Sequence, residues 1–215
     1  MDIEKIENIL KFYLLVSQLK DKIRSGWKVW NIERDRVESV AEHIYGTCML
    51  AIAIDSEFKL DIDIYKVVMI LVIHEIEEIK IGDLTPFDKV TKEEKRNLGK
   101  KAVEEILASL TDKAKYIDLI EEFEKMETKE AKFAKMCDKL EANIQCKIYC
   151  EENCLDINKK ENEYLLEDVR IQKLLKKGEK TIADLFIEND KPKYTEKVFE
   201  DIANYIKEKR LLKNK

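Results

Sequence analysis

The chain has 215 residues, and 40% of them are Asp, Glu, Lys or Arg in both signs, for a formal net charge of −5. That surface carries no basic footprint for duplex nucleic acid, and five Gly with two Pro supply too few turn residues for an all-β fold. The longest wholly apolar stretch, Val67 to Ile73, is seven residues, against the roughly 20 that a membrane span requires. Five cysteines without a CxxC pair read as reduced thiols of a cytoplasmic protein rather than a disulfide framework. The charged, amphipathic N-terminal stretch argues against a secretory signal.

In chain order, residues 2–23 predict a first helix with Ile3, Ile6, Leu10, Tyr13, Leu14 and Ser17 on one stripe. Ser25-Gly26 breaks it, and residues 27–36 lack a helical period, which predicts a structured loop. A second helix is expected from Glu38-Ser39 to Asp55. Between Ile44 and Ile54 it is apolar on nearly every face, the pattern of an enclosed central helix. A third is expected from Asp63 to Lys80, too long for a strand despite its β-branched residues. Gly82 ends it, and Gly82 to Pro86 reads as a loop. Thr91 with Glu94 forms a capping box that opens a fourth helix toward Ser109. Further helices are expected over 112–126, 129–154, 160–176 and 194–210. Without a linker or repeat, the economical reading is one all-α domain, 1–215, of roughly 7–9 helices, with 155–215 as a C-terminal helical extension.

The chain has two histidines, so imidazole chemistry must use His43 in ESVAEHIYG or His74 in LVIHEIEEIKIGD. On a continuous helix, His74 and Glu78 are four apart and Glu75 and Glu78 three apart, so all three share a face. Burying two carboxylates without compensation costs several kcal/mol each. A divalent cation would neutralise them, and imidazole with carboxylates suits Mn, Fe, Co, Ni or Zn. Taken alone, the cluster also fits an acidic helix end leaving the core. It is not the zincin motif, because Glu stands at position 78 where that motif needs His. Asp138 lies in AKFAKMCDKLEANIQ, on a helix striped by Phe133, Met136, Cys137, Leu140 and Ile144.

In order, His43, His74-Glu75 and Asp138 resemble the H…HD…D signature of the HD superfamily. ESVAEHIYG, IHEIEEIKIGDLTP and AKFAKMCDKLEANIQ are similar to the corresponding blocks of its 5′-deoxynucleotidase branch, over roughly residues 10–155. The resemblance implies a helical HD-domain bundle, one divalent metal (Mn, Co, Fe, Ni, Zn or Mg), and metal ligands His43, His74, Glu75 and Asp138. It implies that Glu78 activates water, Arg24 holds the phosphate, Asp83 contacts the sugar, and Trp27 lies near it. One residue departs from the pattern: the dyad is His-Glu where the family has His-Asp, so the carboxylate is one methylene longer.

The implied activity is release of phosphate from (deoxy)nucleoside 5′-monophosphates, with a small-molecule nucleotide substrate, no nucleic acid or membrane partner, and a homodimeric state. An HD hydrolase of another phosphoester, and a non-catalytic helical metal-binding or interaction protein, are the alternatives. Cys146, Cys150 and Cys154 recur at helical spacing and read as packing residues. Glu121, Glu122 and Glu124 read as a solvated face, and the amphipathic C-terminal segment as a packed helix.

Overall fold

In the computed structural model, which describes residues 1–212, the backbone is helical throughout and no strand forms among the described residues; Ile23 and Ser39 make one isolated antiparallel bridge. Two compact units share the chain. The first comprises residues 1–25 and 38–135, the second residues 26–37 and 136–215.

The first unit opens with α1 (Ile3–Val16), which starts where Asp2 accepts the Lys5 amide. It then runs into a 3-10 turn, Ser17–Lys20. The expected stripe on α1 does not enter the core. No residue of α1 is fully buried, and Ile3, Ile6, Leu10, Tyr13 and Leu14 are exposed. Helix α3 (Val40–Phe58) is held at its start by a reciprocal capping box between Ser39 and Glu42 and released where Lys59 adopts a left-handed backbone. Helix α4 (Ile64–Ile73) begins where Asp63 accepts the Lys66 amide.

The expected single helix to Lys80 is interrupted. Residues 74–77 form tight turns, with Ile76 bonded to the Ile73 carbonyl and Glu78 to that of Glu75, before α5 (Glu78–Ile81) resumes. Helix α6 (Lys92–Ile106) starts at the expected Thr91–Glu94 capping box, and α7 (Lys113–Lys125) follows. The core joins Leu19, Val40, Ile73, Ile76, Ile79, Ala102, Val103, Ile106, Leu107 and Ile120. The isoleucines flanking His74-Glu75 therefore anchor that turn on α6 and α7. Helix α8 (Lys129–Glu151) begins in this unit, where Glu130 accepts the Asp63 amide, and continues into the second.

In the second unit the expected loop contains a short helix, α2 (Ser25–Val29), whose Trp27 is buried. The expected 160–176 helix breaks into α9 (Glu163–Leu166) and α10 (Val169–Lys176). Helix α11 (Ile182–Asp190), with a Thr181–Asp184 capping box, was not expected from the sequence. Helix α12 (Lys197–Glu208) buries Phe199, Ala203 and Ile206. Cys154 lies past the end of α8, off the helical face that its spacing predicts; all five cysteines are free thiols.

Candidate metal centre

Local folding in the first unit brings its candidate residues together. His43 sits one turn into α3, fully buried. His74 caps the C-terminal end of α4 and is also buried. Their rings lie 5.9 Å apart between centroids. His74 Nδ1 lies 2.7 Å from the Leu71 carbonyl oxygen. A carbonyl only accepts, so Nδ1 carries the proton and donates, which presents Nε2 as the lone-pair nitrogen. Phe123 packs edge-on against the same ring at 5.0 Å and holds its plane. Glu75 Oε1 lies 3.9 Å from His43 Nε2 and 3.8 Å from His74 Nε2. Ligand atoms of His43, His74 and Glu75 all lie within 4.8 Å of one another.

The Arg24 amide donates to the Glu38 carbonyl, and the Val40 amide to that of Lys22, at 3.0 and 2.7 Å. This short pairing pins Arg24 beside the start of α3. Its Nη1 reaches both Glu75 oxygens, at 3.1 and 3.0 Å, and lies 3.8 Å from Asp83 Oδ1. Asp83 Oδ2 accepts the Ser25 amide at 2.6 Å. Gly82 makes that contact possible: it ends α5 at φ 81° and ψ 163°, a conformation essentially reserved for glycine, and turns Asp83 back toward Ser25.

Glu78 is 3% exposed, and its Oε2 has no hydrogen-bond partner among the described residues. Burial, then the charges of Glu75 and Asp83, push its carboxyl up to about 10, only partly opposed by Arg24. Glu77, which sequence reasoning passed over, behaves likewise. Its Oε2 also lacks a partner, and burial with Glu75 and Glu124 pushes it up to about 7. One arginine thus faces a group of converging carboxylates. Two imidazoles, carboxylate oxygens and an orphaned buried carboxylate fit a divalent cation of the Mn, Fe, Co, Ni or Zn kind. Glu38, also missed, is buried and brings a carboxylate oxygen within 4.8 Å of a His43 ring nitrogen. A carboxylate behind a ligating imidazole orients it. Its signal in the sequence is weak, because Glu38 precedes the helix and looks like a solvated capping residue.

The remaining two candidates belong to the second unit. Asp138 is 3% exposed on α8, with Lys139 Nζ at 3.4 Å from its Oδ2, between the buried Cys137 and Leu140. Trp27 is a core residue, set edge-on to Tyr149 at 5.2 Å and stacked on Phe186 at 5.8 Å.

A family model described as HD domain matches residues 16–178. The chain belongs to the HD domain family. Among curated relatives, 5′-deoxynucleotidase HDDC2 of Dictyostelium discoideum is 34% identical over 151 residues, covering 67% of this chain and 78% of that protein. Its Homo sapiens counterpart is 33% identical over 144 residues, covering 66% and 68%. Among solved structures, a conserved hypothetical protein of Pyrococcus furiosus superposes with a TM-score of 0.59 at 28% identity, covering 79% of this chain and 97% of that one. A protein of Magnetospirillum magnetotacticum described as a predicted metal-dependent phosphohydrolase gives 0.66 at 22% identity, covering 94% and 93%, and shares the fold. The chain is an HD-superfamily hydrolase, and membership implies a divalent metal. No helix among the described residues is long and apolar enough to cross a membrane.

Proposed function

We propose that this HD hydrolase releases phosphate from deoxynucleoside 5′-monophosphates. The reading rests on one observation above all: ligand atoms of His43, His74 and Glu75 gather within 4.8 Å, in a chain whose curated relatives carry the 5′-deoxynucleotidase name. Asp138, buried and last in the signature order, is the remaining ligand. When bound, the cation would lower the pKa of water and polarise a phosphoryl oxygen. The positive charge of that cation would offset Glu75 and Asp83 and ionise the Glu78 carboxyl, which then takes the proton of the attacking water at Oε2, the oxygen without a partner. The P–O5′ bond breaks, the proton held by Glu78 passes to O5′, and the nucleoside leaves as an alcohol. Arg24, whose Nη1 reaches both Glu75 oxygens beside the histidines, holds the phosphate through its planar fork of donors. Asp83 accepts from a sugar hydroxyl, and Trp27, made rigid by Tyr149 and Phe186, forms a wall near the sugar.

The family match over 16–178 supports a single HD domain with 155–215 as its C-terminal extension. Five free thiols support a cytoplasmic location, and association into a homodimer belongs to the same reading. The test is phosphate release from dAMP and AMP by metal-stripped protein, with Mn, Co, Fe, Ni, Zn or Mg added back singly. Metal-dependent release, faster for dAMP, is expected. Release from neither under any metal would overturn the activity.

A further inference from the structure

Helices α6 and α7 leave a cavity of about 370 Å³ between them, with Glu77 of the 74–77 turn at its floor. It lies wholly in the first unit, and none of His43, His74, Glu75, Glu78, Arg24 or Asp83 lines it. On α6 the lining residues Lys92, Lys95, Arg96, Gly99, Lys100 and Val103 recur at i, i+3, i+4, i+7, i+8 and i+11, so they form one stripe. The Lys100–Glu121 ion pair, at 3.2 Å, joins this stripe to α7. At 1.5 Å per residue the stripe from Lys92 to Val103 runs about 16 Å. The volume falls within the roughly 300–1,000 Å³ of sites that take small molecules.

Three kinds of surface follow one another along the stripe. Six cations line the cavity against four carboxylates. Lys100 and Lys125 are held by Glu121, at 3.2 and 2.9 Å. At the other end Lys92 and Arg96 make no ion pair among the described residues, and Lys95 reaches the Leu84 carbonyl at 3.4 Å. Midway, opposite Gly99, the buried Oε2 of Glu77 has no hydrogen-bond partner among the described residues. Beyond it Val103, Ile117 and Ile120 make an apolar wall. Gly99 itself costs α6 about 1 kcal/mol relative to Ala. A Cβ there would meet the Glu77 side chain at 3.6 Å, an ordinary contact, so no close backbone approach requires the glycine. What its missing side chain leaves open is the space above the Glu77 carboxyl.

We infer that this cavity is a second nucleotide site, separate from the metal centre, that holds a ribonucleoside triphosphate without reacting with it. The three surfaces match the three parts of that ligand in order. Lys92, Lys95 and Arg96 take the phosphates through charge-assisted hydrogen bonds. The ribose hydroxyls donate to Glu77, and a carboxylate in that role is a recurrent means of reading ribose. The base lies against Val103, Ile117 and Ile120. An acidic peptide would suit the cations but leaves the buried Glu77 oxygen unsatisfied at the floor of the cavity. The bound nucleotide touches the support of the metal centre without entering it. Glu77 belongs to the turn that carries His74 and Glu75. Lys135, which also lines the cavity, sits 4.4 Å over the Phe123 ring that packs against His74.

The test is titration calorimetry of the full, Mn-loaded chain with β,γ-imido-ATP and with its 2′-deoxy analogue. Wild type is expected to bind the ribose form, and the deoxy form roughly 10-fold more weakly for want of one hydrogen bond to a carboxylate. Lys92→Glu and Arg96→Glu, at exposed positions where folding tolerates the change, each weaken binding roughly 10- to 100-fold. Gly99→Leu fills the cavity and abolishes binding, while Arg24→Ala, altered at the metal centre, binds as wild type does. A wild type that binds neither analogue overturns the site. Binding that survives Lys92→Glu, Arg96→Glu and Gly99→Leu, or that Arg24→Ala abolishes, puts the nucleotide at the metal centre and overturns it too. Equal affinity for the two analogues overturns the role given to Glu77. Phosphate release from dAMP is measured separately and reports only on the proposed activity.

Discussion

Replacing Arg24 with Ala separates the two jobs assigned to this residue. Its guanidinium is the cation nearest Glu75, at 3.0 and 3.1 Å, and approaches Asp83 at 3.8 Å, all three side chains being 10–15% exposed. Removing one partner of a buried pair costs roughly 3–5 kcal/mol; the remaining access to water reduces this to about 2–3 kcal/mol. For a chain of this size that loss is a fall of roughly 5–10 °C in melting temperature. The fall is expected in chelator. Added Mn supplies the missing positive charge, so the variant recovers more stability from the metal than wild type does. Arg24 also competes with a cation for Glu75, so Arg24→Ala should bind Mn more tightly by titration calorimetry, while kcat/KM for dAMP falls about 100-fold or more with the lost phosphate contact. A variant that melts with wild type in chelator and binds Mn more weakly would refute this account of the charge balance.

Glu78→Gln should keep Mn-dependent stabilisation yet lose about 100- to 10,000-fold in turnover. In chelator the same variant tests the charge balance. The Glu78 carboxyl is raised from 4.5 to about 10, so between those values the folded chain holds a proton that the unfolded chain releases. Wild-type stability therefore falls as pH rises through that window, and Glu78→Gln removes this part of the slope in urea titrations run at several pH values. Glu75→Asp, which restores the family dyad, should still bind Mn with altered affinity, because a carboxylate remains near both histidines; complete loss of binding would show that the turn at 74–77 is built around the longer side chain. Gly82→Ala meets no neighbour within 4 Å, but its φ of 81° strains any L side chain. A loss of about 1–3 kcal/mol in denaturant unfolding is expected, together with weaker substrate binding as Asp83 shifts from Ser25.

Much of the candidate metal centre is legible in the chain because its residues sit in local patterns. His43 follows a Ser39–Glu42 capping box, and His74-Glu75 ends an apolar run, so each lies at a helix end that the sequence marks on its own. The fold class is legible for a similar reason: scarce Gly and Pro and long 3.6-residue periods leave helices as the only economical backbone. Other features are long-range. At 74–77 the chain takes turns bonded i to i+3, which keep the three-residue repeat Ile73, Ile76 and Ile79 on one core with Val103 and Ile106, partners far away in sequence. Glu38 and Glu77 look like solvated charges until tertiary packing closes around them. The engagement of Arg24 with Glu75 joins residues 51 apart in the chain. Trp27 is aromatic in any reading, but only the packing of Tyr149 and Phe186 makes it core. Composition and periodicity thus decided that the chain is helical, and the order of His43, His74-Glu75 and Asp138 pointed to the candidate centre through its resemblance to the HD signature. Tertiary structure alone decided which charges meet and which apolar stripe stays open, because burial and pairing depend on neighbours distant in sequence.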